Sequence, residues 1–292
     1  MTTASTHDLR SYINVGQENS TPIDLYYEDH GAGKPVVLIH GWPLSGRSWE
    51  KQVPALVEAG YRVITYDRRG FGASSKPWHG YEYDTLTRDL ERLMTKLDLR
   101  DAALVGYSMG GGEVARYPAA YGTSRVSRVA YIASITPALL ESEGNPEGVH
   151  PSVFEGIRQG IKSDRPAFLT KFFKDFYSLD RTLGKRMSEE ALRMAWNIGA
   201  QASPKATYDL VTAWGTDFRN DLKRNELPTL IVHGDDDRIV PLPVSGKRTH
   251  ELIKGSKLVE IPGGTHGLSW THADELNAAL LEFLKTPAAA PV

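Results

Sequence analysis

Short apolar runs alternate with helical patterns along most of this 292-residue chain. Runs of about four to eight residues, bounded by glycine or proline, are typical of buried strands. Six such runs lie at 36–39, 62–66, 102–105, 126–132, 229–232 and 257–261. Because strands that alternate with helices pair in parallel, the pattern predicts an α/β fold with a mostly parallel sheet and helices on both faces.

Two more strands are predicted within 11–30, on either side of a turn, and they bring the sheet to eight strands. Helices are predicted over 46–58, from a cap at Asp84 to about Leu97, and over roughly 271–285.

The alternation stops between residues 137 and 215. This segment is mostly helical in pattern and rich in aromatic side chains, and the strand pattern resumes only after it. We therefore predict a sheet domain formed by 1–136 and 216–292, with a helical cap over 137–215 inserted between its two parts.

Composition excludes several classes of protein. The chain has no cysteine, which excludes disulfides, thiolate metal sites and cysteine nucleophiles and favours a reducing compartment. Its formal net charge of -2 gives no field that would attract nucleic acid or an anionic membrane. The first residues lack the apolar core of a signal peptide, and no run approaches the roughly 18 apolar residues of a membrane span. These features predict a cytoplasmic protein with neither a nucleic-acid nor a membrane partner.

A serine flanked by glycines follows one of the predicted strands. Residues 106–110, GYSMG, match G-x-S-x-G and stand between a predicted strand and a predicted helix. Such a sharp turn strains the serine backbone, and side chains two positions away on either side would clash. The turn therefore predicts that Ser108 projects at the carboxyl edge of the sheet, where a helix N-terminus favours developing negative charge.

A serine nucleophile needs a base, and the base needs an acid that orients it. His266 lies in a glycine-rich loop directly after the last predicted strand, on the same side of the sheet as the serine. The segment HGDDDRIVP places Asp235, Asp236 and Asp237 after another strand at that edge. The order serine, aspartate, histidine suits this architecture, but the residues alone leave the choice among the three aspartates open. No histidine lies in a metal-binding pattern, so no metal site is predicted.

An acyl-transfer serine also needs N–H donors for the oxyanion. Met109, directly after the serine, supplies one backbone N–H. The loop HGWP after the first core strand supplies the second at Trp42, since Pro43 has no N–H.

Six stretches of the chain together resemble the cofactor-free haloperoxidase and aryl esterase branch of the α/β-hydrolases. They are HGWPLSGRSWE (40–50), YDRRGFGASSKP (66–77), GYSMGGGEVARY (106–117), NPEGV (145–149), HGDDDRIVP (233–241) and IKGSKL with THADELN (253–277). The resemblance covers roughly residues 12–285, and several motifs in order make it far more specific than G-x-S-x-G alone.

The resemblance implies an α/β-hydrolase fold with a triad of Ser108, Asp237 and His266, which selects one of the three aspartates. It assigns the oxyanion donors to Trp42 and Met109, and it implies no cofactor. Enzymes of this branch hydrolyse small-molecule esters of small acyl groups. With a carboxylic acid and hydrogen peroxide they form a peracid, which oxidises halide away from the site. Relatives form homo-oligomers, so self-association is also implied.

The resemblance further implies which side chains line the substrate pocket. By position in the family these are Trp42, Leu139, Phe172, Phe176, Trp214, Ile239 and Val240. Packing of the cap against the core is the alternative interpretation for about half of them.

The sequence departs from the family at one helix position, and it leaves several other functions open. Pro118 falls within the helix after the serine and is expected to kink or shorten it. A γ-lactamase or a C–C bond hydrolase would use the same triad, and a non-catalytic ligand-binding member of the fold is a remote alternative. An aspartate-nucleophile dehalogenase or epoxide hydrolase is excluded because residue 108 is serine.

Overall fold

The structure is a computed structural model that describes residues 11–286, so the outer ends of the predicted core ranges, 1–10 and 287–292, lie outside the described residues. The strands are β1 Tyr12–Glu18, β2 Thr21–Gly31, β3 Pro35–Ile39, β4 Arg62–Tyr66, β5 Ala102–Tyr107, β6 Val126–Ile132, β7 Thr229–Gly234 and β8 Lys257–Ile261. The helices are α1 Gln52–Glu58, α2 Tyr83–Lys96, α3 Gly110–Tyr121, α4 Pro151–Phe176, α5 Leu179–Thr182, α6 Glu189–Ala200, α7 Pro204–Ala213, α8 Arg219–Leu222, α9 Gly246–Leu252, α10 Leu268–Thr271 and α11 Ala273–Lys285.

The strands form one sheet in the order β1-β2-β4-β3-β5-β6-β7-β8. The pairs β1–β2 and β2–β4 are antiparallel, and the other neighbouring pairs are parallel. The prediction of a mostly parallel eight-stranded sheet is therefore confirmed. All six residues of β5 are buried, as expected for an inner strand that helices cover on both faces.

The parallel strands bring four loops to one edge of the sheet. The last residue of β3, Ile39, pairs with Gly106 of β5, and Gly234 at the end of β7 pairs with Ile261 at the end of β8. The loops that follow β3, β5, β7 and β8 therefore emerge on the same side, which is where open α/β sheets bind ligands.

The helices form separate groups around the sheet. α1 contacts α11, whereas α2, α3, α8 and α9 contact one another in series. Between β6 and β7, α4 packs against α6 and α7. None of the helices within residues 11–286 is long and apolar enough to cross a membrane.

The segment predicted to be helical over 137–215 is helical only from Pro151. Residues 137–149 form turns with isolated bridges between Leu140 and Val149 and between Ser142 and Asn145. The buried Asn145 amide donates to the carbonyl oxygens of Ala138 at 2.9 Å and Leu140 at 2.7 Å. This side chain satisfies carbonyls that a helix would otherwise pair, so the helical prediction is wrong for these residues. The division into three domain ranges stays a prediction.

A break within α4 has a local cause. Asp164 leaves the helical region with φ -155° and ψ 89°, and its carboxylate accepts the Ala167 N–H at 2.9 Å. Pro166 follows two residues later. Asp164 therefore caps the second half of α4, and Pro166 lies in the first turn after the cap, where its missing N–H costs nothing.

Two predicted helix starts are wrong. The helix expected over 46–58 divides into a 3₁₀ turn at Gly46–Trp49 and α1, since Pro54 cannot donate the N–H that a continuous helix would need there. α2 begins at Tyr83 with extended Glu82 as its cap, so Asp84 lies in the first turn and forms an ion pair with Arg116.

Pro118 does not interrupt the helix that follows the serine. α3 runs through Pro118 to Tyr121, and Gly122, with φ 76°, ends it. The Gly122 N–H donates to the Pro118 carbonyl at 2.9 Å. The helix continues for three residues beyond the proline and shows no non-helical residue there, so the expected kink or shortening is not seen.

The turn between β5 and α3 forces a non-glycine residue into the left-handed region. Ser108 has φ 54°, and its N–H donates to the Ile132 carbonyl of β6 at 2.8 Å. Gly110 approaches the neighbouring loop so closely that a Cβ there would lie 2.5 Å from the Ile39 carbonyl oxygen. Glycine is therefore required at position 110 for β3 and α3 to approach each other.

We expect Gly110→Ala to lower the free energy of unfolding by roughly 1–3 kcal/mol, because the new methyl group meets fixed backbone. Gly156 of α4 is the matched control, since a methyl group at this position would have no other atom within 4 Å. Gly156→Ala should raise the free energy of unfolding by up to about 1 kcal/mol. Urea denaturation followed by circular dichroism measures both. Equal effects of the two substitutions would contradict the close approach.

Candidate active site

Ser108 stands at the centre of the site because its turn lifts the side chain above the edge of the sheet. Ser108 and Met109 form the turn between β5 and α3, and only 6% of the Ser108 surface is exposed. Its Oγ lies 3.0 Å from Nε2 of His266, in the loop after β8. The structure thus brings together a hydroxyl and an imidazole that are 158 positions apart in sequence.

The other ring nitrogen of His266 contacts the carboxylate of Asp237, in the loop after β7. The distance from Nδ1 to Oδ2 is 2.7 Å. The second oxygen, Oδ1, accepts the backbone N–H groups of Ile239 at 2.9 Å and Val240 at 2.8 Å. Since an ionised carboxylate only accepts, Nδ1 carries a proton and Nε2 is left free to accept the proton of the Ser108 hydroxyl.

The surroundings of Asp237 keep its carboxylate ionised although it is buried. Burial raises the pKa of Asp237, but charge and hydrogen bonding from His266 and His233 outweigh it and hold that pKa below the usual 3.8. Asp237 therefore carries its negative charge at neutral pH and is placed to stabilise an imidazolium at His266.

His233 lies beside the acid, a position that the sequence did not reveal. Its Nε2 lies 2.8 Å from the Val240 carbonyl oxygen and 3.2 Å from Oδ2 of Asp237. A carbonyl cannot donate, so Nε2 carries the proton and His233 is a fourth donor next to the carboxylate. His233 is the penultimate residue of a buried strand, and a buried histidine needs polar partners. This position in the sequence could have indicated a role near the site.

Tyr107 is a second neighbour that the sequence did not reveal. Its hydroxyl donates to the backbone carbonyl of His266 at 2.8 Å, and its ring stacks on the imidazole with centroids 5.6 Å apart. Phe176 contacts the same imidazole edge-on, with centroids 4.8 Å apart. The His266 ring is therefore held from two sides.

The other two aspartates of the triplet serve different contacts. Oδ1 of Asp235 accepts the Gly263 N–H at 2.6 Å, which ties together the loops after β7 and β8. Asp236 forms an ion pair with Arg181 at 2.8 Å. Of the three carboxylates, the one at Asp237 is the partner of His266.

Two backbone N–H groups next to Ser108 lack an acceptor. Those of Trp42 and Met109 donate to no oxygen among residues 11–286. The Trp42 side chain is anchored separately, because its Nε1–H donates to the Thr207 carbonyl at 3.1 Å and its ring packs edge-on against Trp214. A pair of unsatisfied donors beside a serine is the arrangement that an oxyanion needs.

The loop that carries Trp42 is held by His40. The Arg68 backbone N–H donates to Nε2 of His40 at 3.0 Å, so Nδ1 carries the proton and donates to the Gly41 carbonyl at 2.8 Å. Burial, together with the Arg68 guanidinium, holds the pKa of His40 well below its usual 6.5. His40 is therefore neutral in the native protein.

A small apolar cavity opens directly at Ser108 and His266. The cavity has a volume of about 40 Å³, so it admits only a small group. The lining residues are Trp42, Ser108, Ile135, Leu139, Val149, Val153, Phe154, Ile157, Phe172, Trp214, Ile239, Val240 and His266. A ligand here would be small and would meet mostly hydrocarbon and aromatic surface.

Of the side chains predicted to line the pocket, six line this cavity, namely Trp42, Leu139, Phe172, Trp214, Ile239 and Val240. Phe176 does not line it. Its ring is fully buried behind the site, against His266, Tyr107 and Tyr177. Ile135, Val149 and Phe154 line the cavity without having been predicted. They come from the loop after β6 and the start of α4, where spacing in the sequence gives no signal.

A wider groove of about 660 Å³ adjoins the cavity along α4. Val153, Ile157, Phe172 and Ile239 line both spaces. The groove also exposes charged side chains of both signs, Lys171 and Arg238 against Asp164 and Asp175. Within residues 11–286, no group of three or more His, Asp or Glu side chains is arranged to hold a metal ion.

Comparison with known proteins gives consistent matches. Residues 34–273 match the family described as alpha/beta hydrolase fold. The chain is 40% identical over 265 residues to a non-heme chloroperoxidase of Kitasatospora aureofaciens, covering 90% of this chain and 96% of that one. It is 36% identical over 272 residues to a bifunctional esterase/perhydrolase of Acinetobacter calcoaceticus, with 90% and 97% covered. A crystal structure of a bromoperoxidase from Bacillus anthracis superposes with a TM-score of 0.91 at 56% identity, with 94% of this chain and 99% of that chain covered.

The neutrality of His40 predicts a pH dependence of stability. In the unfolded chain a histidine takes up a proton below about pH 6.5, whereas native His40 does not, so the native state loses stability as pH falls through that value. For one proton, the free energy of unfolding falls by up to about 1.4 kcal/mol per pH unit. In urea denaturation at pH 7, 6 and 5, His40→Gln should lose less stability on acidification than the wild type. Parallel pH profiles for the two proteins would contradict a neutral His40.

Proposed function

The chain belongs to the α/β-hydrolase family, in the branch of the non-heme haloperoxidases and esterases, and we propose that Ser108 acts in it as the nucleophile of an esterase with perhydrolase activity. The predictions of this fold and branch are confirmed by the family match and by the relatives described above. One observation carries the proposed site: Ser108, His266 and Asp237 form a hydrogen-bonded line beside two backbone N–H groups that have no acceptor.

In the proposed acylation step, Nε2 of His266 takes the proton of Ser108 as Oγ attacks the ester carbonyl. The Asp237 carboxylate stabilises the imidazolium, and the N–H groups of Trp42 and Met109 donate to the oxyanion. His266 then returns the proton to the departing alcohol. The products of this half-reaction are an acyl group on Ser108 and a free alcohol.

In the second half-reaction His266 takes a proton from water or hydrogen peroxide, which attacks the acyl group. Water gives a carboxylic acid, and hydrogen peroxide gives a peracid; in both cases Ser108 recovers its proton. The peracid then transfers one oxygen atom to a halide ion in solution, leaving hypohalite and the carboxylic acid. The names of relatives, a chloroperoxidase and a bifunctional esterase/perhydrolase, support both outcomes.

The cavity at Ser108 and the groove that adjoins it support a division of the substrate. We propose that the acyl group takes the inner cavity, whose volume is about 40 Å³. The alcohol part then points toward the wider groove, which shares Phe172 and Ile239 with the cavity. A small acyl group with a larger, aromatic alcohol fits this arrangement. Self-association and a cytoplasmic location stay predictions.

Removal of the nucleophile tests the assignment. Ser108→Ala should reduce kcat for p-nitrophenyl acetate by at least about 10⁴-fold, and it should equally abolish bromination driven by acetate and hydrogen peroxide. A fluorophosphonate probe should label the wild type and leave the variant unlabelled. Retention of either activity in Ser108→Ala would overturn the proposal, and a non-catalytic binding protein would leave the wild type unlabelled. Opening of γ-lactams, measured alongside, tests the alternative use of the same triad.

The size of the cavity predicts selectivity for short acyl chains. The ratio of kcat/KM for p-nitrophenyl acetate to that for p-nitrophenyl hexanoate should exceed about tenfold, since extra methylenes do not fit. Leu139→Ala should lower this ratio by enlarging the cavity. Leu140→Ala is the matched control, because Leu140 is the next residue along the chain and does not line the cavity. A ratio that both substitutions leave unchanged would argue against the cavity as the acyl site.

A further inference from the structure

The two proposed oxyanion donors lie on segments that are far apart in sequence. Trp42 is in the loop after β3, and Met109 immediately precedes α3. A pair of donors stabilises an oxyanion only while their spacing is held to a fraction of an ångström. That spacing therefore requires a contact that joins the two segments.

Arg68, in the loop after β4, holds the first of these segments. Its Nη2 donates to the His40 carbonyl at 2.8 Å, and its backbone N–H donates to the His40 ring at 3.0 Å. The same ring holds the Gly41 carbonyl at 2.8 Å. Arg68 thus fixes both residues that precede Trp42.

The same guanidinium holds the second segment. Its Nη2 also lies 2.5 Å from Oε2 of Glu113, and its Nε is 3.2 Å from both carboxylate oxygens. Glu113 lies in the first turn of α3, four residues after Met109. The hydroxyl of Tyr66 donates to the other oxygen, Oε1, at 2.9 Å. Both charged side chains are almost fully buried, with 1% and 0% of their surfaces exposed.

The triad and the oxyanion N–H groups use neither side chain, and neither lines the cavity. A buried ion pair of this kind is costly to desolvate and is weak evidence of added stability in itself. Its geometry instead joins two segments, because one nitrogen atom, Nη2 of Arg68, contacts the loop after β3 and the start of α3 at once.

We propose that the Arg68–Glu113 ion pair is the positioning device of the oxyanion site, setting the distance between the N–H groups of Trp42 and Met109. This inference rests on the proposed function. Arg68 and Glu113 are positioning residues that act through the backbone of His40, Gly41 and the first turn of α3.

The neighbouring residue offers a matched control. Arg69 forms an equally close ion pair with Asp89 of α2, with Nε–Oδ2 at 2.6 Å and Nη2–Oδ1 at 2.8 Å. Its side chains are also buried, at 6% and 2% exposed. This pair donates to no atom of residues 40–42 and does not reach α3. Asp89→Asn therefore leaves a buried arginine of the same loop without its carboxylate and does not affect the proposed spacing.

The experiment compares Glu113→Gln with Asp89→Asn. Both should lower the free energy of unfolding, because each leaves a buried arginine without its carboxylate. Only Glu113→Gln should reduce kcat for p-nitrophenyl acetate, by roughly 10- to 100-fold with KM nearly unchanged. Its inhibition constant for 1,1,1-trifluoro-2-butanone should rise by a similar factor, since the hemiketal that this ketone forms on Ser108 carries the oxyanion.

A second variant covers the case in which Glu113→Gln fails to fold. Arg68→Met combined with Glu113→Gln removes both charges, which buried pairs often tolerate, and it should fold yet retain the low kcat. Two results would overturn the inference and leave the proposed function intact. One is a folded variant that lacks the pair yet keeps the wild-type kcat and ketone inhibition. The other is an equal loss of kcat in Glu113→Gln and Asp89→Asn. A wild type that hydrolyses no ester and resists the fluorophosphonate probe would overturn both.

Discussion

The left-handed backbone of Ser108 is the constraint around which the site is arranged. A residue with a side chain pays on the order of 1–3 kcal/mol to adopt such a conformation, so surrounding contacts must enforce it. β6 provides one contact by accepting the Ser108 N–H, and β3 provides another by packing its last carbonyl against Gly110. The strain therefore persists because contacts with β3 and β6, the strands on both sides of β5, hold the turn. The proposed nucleophile is positioned by the sheet more than by its own loop.

The site also contains buried charged side chains, and each of them has a defined partner. Asp237 stays ionised in a dry environment because two backbone N–H groups and two histidines surround it. Arg68 and Glu113 neutralise each other under the loop that bears Trp42. In a low-dielectric interior an unpartnered charge of either sign would be far more costly than any of these pairs gains. The charged groups of the site thus have their partners in advance of substrate, whereas the N–H groups of Trp42 and Met109 have no acceptor.

The sequence predicts what depends on local pattern and order along the chain. Eight strands, the turn at Ser108 and the loop placement of His266 follow from apolar runs and glycine positions. The choice of Asp237 over Asp235 and Asp236 came from resemblance, since all three follow the same strand, and contacts with His266 and Gly263 distinguish them in space. The contacts of Phe176, His233 and Tyr107 with the proposed triad could not be predicted because they arise from the folded arrangement, and Phe176 was wrongly expected in the pocket. The non-helical stretch 137–149 was not predicted either, for a local reason: the buried side-chain amide of Asn145 satisfies backbone carbonyls that a helix would otherwise pair.

The small volume of the cavity bears on the competition between water and hydrogen peroxide. In a cavity of about 40 Å³, an acetyl group on Ser108 would leave little space beside His266 for the attacking molecule. The partition between acid and peracid then depends on which single molecule occupies that place, rather than on the ratio of the two in bulk solvent. Because the lining is mostly apolar, the cavity offers water few hydrogen-bond partners. The residues that surround the acyl group would therefore also determine whether water or hydrogen peroxide occupies the place of the attacking molecule.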